Sequence, residues 1–134
     1  MNKNTLGIPI AIIVANYFVM GFLFPQGDVW NAIYNAIYNV IRIAAIGYAG
    51  WLVVQRGGGK LWVAALAGLL LLAIDHIVLR GGGFLFDAYA LNQDPQRNLS
   101  AFGGVLISYA MFAPIDAAVA VVGGLASRWA TKRQ

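Results

Sequence analysis

Residues Leu61–Gly83 read LWVAALAGLLLLAIDHIVLRGGG. Every residue of Leu61–Ile74 is small or apolar, Asp75 and His76 follow side by side, and Arg80 precedes three glycines. An apolar run of this length is typical of a helix that crosses a membrane. Because an ionisable pair is costly in lipid, Asp75 and His76 are expected to face protein or water. The stretch therefore predicts a membrane helix with polar groups inside it.

The composition of the whole chain indicates the same class of protein. Of 134 residues, 60% are hydrophobic and only 10% are charged, and the mean hydropathy is +0.72. A soluble domain has about 25% charged residues. Cysteine is absent and there is one histidine, which excludes disulfides, thiolate metal sites and a multi-histidine metal site within one chain. We therefore expect the lipid bilayer to be the solvent of a single domain, residues 1–134.

Four apolar segments predict an all-α membrane protein built as a four-transmembrane-helix bundle. The predicted spans are about 6–24, 34–54, 61–79 and 101–126. Short connections favour antiparallel, up-down neighbours, with a turn at Phe24–Gly27. The strings that begin at Arg56 and Arg80, each an arginine followed by three glycines, are interpreted as helix ends. Only Phe84–Leu99 remains as a long connection.

The lysine and arginine residues near the span ends predict the orientation. One side has Lys3, Arg56, Lys60, Arg128, Lys132 and Arg133, whereas the other has Arg80 and Arg97 together with Asp28, Asp87 and Asp94. The positive-inside rule therefore predicts a multi-pass protein of a bacterial-type inner or plasma membrane, with both termini in the cytoplasm. We interpret the net charge of +4 as contact with anionic lipid, and not as nucleic-acid binding.

Small residues recur at helical spacing and predict close contact between helices. In membranes such residues let helix backbones approach each other. They are Gly7, Ala11 and Ala15 on the first span, Ala64 and Gly68 on the third, and Ala113, Ala117, Ala120 and Gly124 on the fourth.

Polar residues inside the spans form the candidate site. They are Arg42, Asp75, His76 and Asp116, with Asn16, Asn39 and Arg80 nearby. At about 1.5 Å per residue, Arg42 lies between the depths of Asp75 and Asp116, and pairing with either is open. Adjacent helical residues point about 100° apart, so Asp75 and His76 are not expected to form a tight pair, and each needs a partner on another helix. His76 and Arg80, four apart, are expected to share a face.

Two functions of different kinds are compatible with this pattern. The first is a small non-enzymatic protein, either an accessory or structural subunit of a membrane complex or a homo-oligomer, in which the charges are structural ion pairs. The alternative is a transporter or channel component for a proton, cation or small polar solute. An enzyme that acts on lipid would need Asp75, Asp87 and His76 to meet, and a pigment or haem would need His76 as its ligand. No phosphate loop, dinucleotide fingerprint or catalytic motif occurs, so no cofactor is expected.

Overall fold

The structure of the chain, a computed structural model, describes residues 4–23 and 28–132, and these residues form helices and short connections. The elements are α1 (Gly7–Leu23), α2 (Asp28–Arg56), α3 (Leu61–Ala73), a π-helical segment (Ile74–Gly81), α4 (Gly82–Tyr89) and α5 (Pro95–Thr131). The predicted all-α class is confirmed for this part of the chain. The turn predicted at Phe24–Gly27 lies outside the described residues.

Among the described residues, three helices are long and apolar enough to cross a membrane. They comprise residues Asn31–Arg56, Leu61–Tyr89 and Pro95–Thr131, judged by length and composition. The remaining helix, α1, is apolar but has 17 residues, which is about 26 Å at 1.5 Å per residue. These lengths are compatible with a membrane protein.

The third helix does not end at Arg80, so that prediction was wrong. α3, the π-helical segment and α4 form one continuous helix through all three glycines to Tyr89. Gly81 packs so closely against α5 that an added Cβ would lie 2.7 Å from Cε2 of Phe102. A larger residue at this position would displace the Phe102 ring, so packing favours glycine here although glycine is a weak helix former. By contrast, α2 does end at Arg56, where Gly58 and Gly59 adopt φ of +78° and +79°.

The long connection predicted for Phe84–Leu99 is also wrong. Only residues 90–94 separate α4 from α5. Asp94 caps α5, because its carboxylate accepts a hydrogen bond of 3.3 Å from the backbone N–H of Arg97, and Pro95 occupies the first turn. α5 then continues through Pro114 and exceeds the predicted span 101–126 at both ends.

Small residues bring the helices together at the centre of the bundle. The buried core consists of Ile13 from α1, Ala45, Ile46 and Ala49 from α2, Leu71 from α3 and Ala120 from α5. An added Cβ at Gly50 would overlap the Ala120 carbonyl, and one at Gly123 would overlap the Gly47 carbonyl. The glycines of α2 and Gly123 of α5 were not identified from the sequence.

The predicted packing residues divide between the inside and the outside of the bundle. Ala64, Gly68, Ala120 and Gly124 are buried, and Ala113 and Ala117 are partly buried. An added Cβ at Gly68 would lie 2.7 Å from the Asp116 carbonyl oxygen. By contrast, Gly7, Ala11 and Ala15 are exposed, and nothing lies within 4 Å of a Cβ added at Gly7. The small-residue strip of α1 therefore makes no close helix contact within the part of the chain that the structure describes.

Candidate functional site

Arg42 and Asp116 form a buried ion pair between α2 and α5. Nη1 of Arg42 lies 3.3 Å from Oδ2 of Asp116, and Nη2 lies 3.5 Å from Oδ1. Both side chains are almost completely buried. Of the two partners that the sequence left open for Arg42, the structure places Asp116 against it.

Asp75 has a different set of neighbours. Its Oδ1 accepts a hydrogen bond from the hydroxyl of Tyr38 on α2. Its Oδ2 lies 3.1 Å from Nδ1 of His76 and 4.0 Å from Nε of Arg80. Asp75 and Tyr38 are fully buried, whereas the Arg80 side chain is 36% exposed. The carboxylate is therefore enclosed by a phenol, an imidazole and a guanidinium.

The π-helical backbone places Arg80 beside Asp75. In a π-helix the hydrogen bonds join residues i and i+5, so Asp75 is stacked on Arg80, five positions later. α-Helical geometry had instead predicted that His76 shares a face with Arg80. It had also predicted that Asp75 and His76 form no tight pair, and the 3.1 Å between Oδ2 of Asp75 and Nδ1 of His76 shows that this was wrong.

The Phe112 ring of α5 contacts both Arg42 and His76. Its ring centroid is 5.1 Å from Cζ of Arg42 and 5.9 Å from the centroid of the His76 ring. Cζ of Arg80 lies 4.7 Å from the centroid of the Tyr38 ring. Both guanidinium groups thus contact an aromatic ring, which attracts cations electrostatically. We call the set Arg42, Asp116, Phe112, Tyr38, Asp75, His76 and Arg80 the polar cluster.

The two asparagines predicted for this site differ in their positions. Nδ2 of Asn16, on α1, donates to the backbone oxygen of Tyr38 at 3.1 Å, which connects α1 to the edge of the polar cluster. Asn39 instead donates to the Asn35 carbonyl of its own helix at 2.7 Å and is partly exposed. Asn31 and Asn35 are exposed as well. The asparagines of α2 therefore do not lead into the polar cluster.

Several polar atoms at the site are buried without a hydrogen-bond partner in the described chain. They are Asn16 Oδ1, Arg42 Nε, Asp75 Oδ2, His76 Nδ1 and Asp116 Oδ2. Asp116 Oδ2 lies 3.3 Å from Nη1 of Arg42, and Asp75 Oδ2 lies 3.1 Å from Nδ1 of His76, but neither contact has the angle of a hydrogen bond. These atoms could still form hydrogen bonds. Each buried polar atom that stays unpaired lowers the free energy of unfolding by about 1–3 kcal/mol.

The charges of the polar cluster balance. Arg42 and Arg80 are positive, Asp75 and Asp116 are negative, and the sum is zero when His76 is neutral. In the described chain no three side chains of histidine, cysteine or acidic type converge, and Asp75 with His76 is the closest approach to a metal-ligand set. The arrangement is suited to holding charges in place between α2, the third helix and α5.

Two members of the polar cluster were missed from the sequence. Neither Tyr38 nor Phe112 was included in the candidate site predicted from the sequence. A signal for each existed, because Tyr38 lies four residues before Arg42 and Phe112 four residues before Asp116. Residues four apart on a helix share a face, so each aromatic residue is expected on the same helix face as a charged residue of the site.

Comparisons with protein-family models, with curated proteins and with solved structures found no match to this chain.

Proposed function

We propose that the chain is a small non-enzymatic integral membrane protein that serves as an accessory or structural subunit, beside other membrane subunits or copies of itself. The main support is the distribution of polarity. The buried charges face one another, while large apolar side chains cover the outside, such as Phe22 at 89% exposed and Met111 at 69%. A surface of this kind is suited to lipid or to another membrane helix, not to water.

The order of helix contacts supports an antiparallel, up-down bundle. Along the third helix, Leu61 packs near Gly124, Gly68 near Asp116, and Gly81 near Phe102. The contacts therefore progress in opposite directions along the two segments. With the excess of lysine and arginine at the turn between α2 and α3 and at the end of α5, this arrangement supports a multi-pass inner or plasma membrane protein with cytoplasmic termini.

The enclosure of the polar cluster supports a structural role over catalysis. Asp75 and Asp116 are 0% exposed, so neither carboxylate is presented to a substrate at the protein surface. Asp87, which a lipid-acting enzyme would need beside Asp75, lies about 18 Å further along the same continuous helix at 1.5 Å per residue. Buried ion pairs between helices can fix their register without any chemistry.

The strip Gly7, Ala11 and Ala15 of α1 is the surface that we assign to assembly. It is exposed, whereas the small residues of α3 and α5 are occupied by contacts within the chain. Membrane helices associate through small residues that permit close backbone approach. A helix of a partner subunit or of a second copy would thus find a matching surface on α1.

Gentle extraction from the native membrane, followed by native mass spectrometry of the particle, tests the proposal. We expect the chain in constant stoichiometry with other membrane subunits or with copies of itself. A carbonate wash of the membranes serves as the control for integration, because peripheral proteins are released by it. A chain that is released by carbonate, or that is extracted only as a monomer, would contradict the proposal.

A transporter or channel component for a proton, cation or small polar solute is the second candidate. It is favoured by the five buried polar atoms without hydrogen-bond partners, which are the kind of groups that bind a water molecule or cation in a pathway. Four helices seldom enclose a full pathway, so this function also requires an oligomer. It predicts that Asp116→Asn abolishes proton or cation flux in reconstituted vesicles while the variant stays folded. Unchanged flux would remove Asp116 from such a pathway.

A further inference from the structure

The turn between α2 and α3 forms a cavity with the end of α5. Its volume is about 290 Å³. The end of α2 and the following turn contribute Val54, Gln55, Gly58 and Gly59. The end of α5 and the residue after it contribute Ser127, Arg128, Thr131 and Lys132. The cavity is separate from the polar cluster and shares no residue with it.

The backbone of the turn shapes this cavity. Gly58 and Gly59 have φ of +78° and +79°, and the N–H of Gly59 donates to the Val54 carbonyl at 3.1 Å. Consecutive residues of this conformation are favoured only for glycine. Nη2 of Arg128 donates to the Gly59 carbonyl, which holds the guanidinium beside the turn. The Lys132 side chain lies one turn further along α5, is exposed and also lines the cavity.

Within residues 4–23 and 28–132, the positive charge at this end is not matched by an aspartate. Arg56 and Lys60 flank the turn, and Arg128 and Lys132 line the cavity. The chain has five acidic side chains, all of them aspartates. Asp75 and Asp116 belong to the polar cluster, and the others are Asp28, Asp87 and Asp94, which adjoin the opposite ends of the long helices. An anion from outside the chain would therefore meet no aspartate at this end.

We propose that this cavity binds the phosphate group of an anionic phospholipid. The inference rests on the proposed function, since it requires the turn to lie at a membrane surface. A cavity with a cationic rim and an apolar wall at Val54 is matched to a headgroup phosphate. Exposed Leu125 and Trp129 on the same part of α5 offer apolar surface to the acyl chains, and tryptophan is frequent at membrane interfaces.

Native mass spectrometry with added lipid tests this site. The chain in detergent is titrated with phosphatidylglycerol and, separately, with phosphatidylcholine of the same acyl chains. We expect preferential binding of phosphatidylglycerol, with Arg128→Gln and Lys132→Gln each lowering the association constant about fivefold, as is typical for one basic residue near an anionic surface. Lys132→Gln retains the Arg128 contact to the turn, so it separates loss of charge from loss of local structure.

Arg97→Gln is the matched control, because Arg97 is an exposed arginine at the other end of α5. It should leave the association constant unchanged. Equal binding of the two lipids, or an equal loss in Arg97→Gln, would overturn the proposal. Competition by inorganic phosphate at concentrations that displace phosphatidylglycerol would assign the cavity to a soluble anion and would also overturn it.

Failure of this site and failure of the proposed function give different results. If carbonate releases the chain from membranes, the membrane function itself is wrong. If the chain stays in the membrane fraction but shows no preference for phosphatidylglycerol, only the lipid site is wrong.

Discussion

Arg42 of α2 and Asp116 of α5 are 74 positions apart in sequence, yet Nη1 of Arg42 lies 3.3 Å from Oδ2 of Asp116. The pair joins two helices at a level where Gly68 of α3 also contacts the backbone of Asp116. Removing one partner would leave the other charge buried and unpaired. The same pair therefore sets the position of α5 relative to both neighbouring helices.

The hydroxyl of Tyr38 should contribute measurably to stability. Tyr38→Phe removes the donor to Asp75, and a hydrogen bond to a charged group contributes about 1.5–3 kcal/mol. We expect the free energy of unfolding to fall by about that amount in detergent or lipid nanodiscs. Tyr48→Phe is the control, because Tyr48 is 41% exposed on the same helix. Equal stability of the two variants would show that the Tyr38 hydroxyl is dispensable.

Arg80 should contribute less than Arg42 to the free energy of unfolding. Its side chain is 36% exposed and lies 4.0 Å from Asp75, so water compensates for part of any loss. Its contact with the Tyr38 ring adds a cation–π contribution of about 0.5–1 kcal/mol. We expect Arg80→Gln to lower the free energy of unfolding by about 1 kcal/mol, measured by thermal or denaturant unfolding. A loss as large as that of Arg42→Gln would mean that Arg80, and not Arg42, is the dominant cation of the polar cluster.

Two glycines of α5 should respond oppositely to alanine. At Gly123 an added Cβ would overlap the Gly47 carbonyl, whereas at Gly103 nothing lies within 4 Å. Gly123→Ala should separate α2 from α5 and lower the unfolding temperature. Gly103→Ala should leave it unchanged or raise it, since alanine is favoured over glycine in a helix by about 1 kcal/mol. The same direction of change in both variants would contradict the close approach of α2 and α5.

Substituting leucine for alanine at two positions distinguishes an effect on assembly from an effect on folding. Ala11 is exposed on α1, whereas Ala120 is fully buried in the core. We expect Ala11→Leu to reduce the mass of the extracted particle without changing chain stability. Ala120→Leu should instead destabilise the chain, because overpacking a core costs about 1–3 kcal/mol. If Ala11→Leu leaves the particle intact, the strip of α1 is not the assembly surface.

The helical class and the polar residues followed from the sequence because both depend on local composition. Apolar runs specify helices long enough to cross a membrane, and charged residues within them have to meet a partner. The pairing of Arg42 with Asp116 was one of two options that depth alone allowed. Which aspartate pairs with Arg42 depends on how α5 packs against α2. The residues near Arg42 in sequence do not specify that packing.

The wrong predictions arose where tertiary contacts override local preference. The Arg80 glycine triplet was interpreted as a helix end, but Gly81 packs against Phe102 of α5 and the helix continues to Tyr89. The π-helical turn then changes the register, which places Arg80 beside Asp75. An α-helical period of 100° per residue does not predict a π-helical segment.

The central claim is that the polar cluster is structural, and a double-mutant cycle at Arg42 and Asp116 tests it most directly. The measurement is the free energy of unfolding in lipid nanodiscs for Arg42→Met, Asp116→Leu and the double variant. We predict that each single change costs about 3–5 kcal/mol, because it leaves one buried charge unpaired, and that the double variant recovers most of this loss. Single variants that are as stable as the parent, or more stable, would contradict the claim, since that result is expected of residues kept for function at the expense of stability.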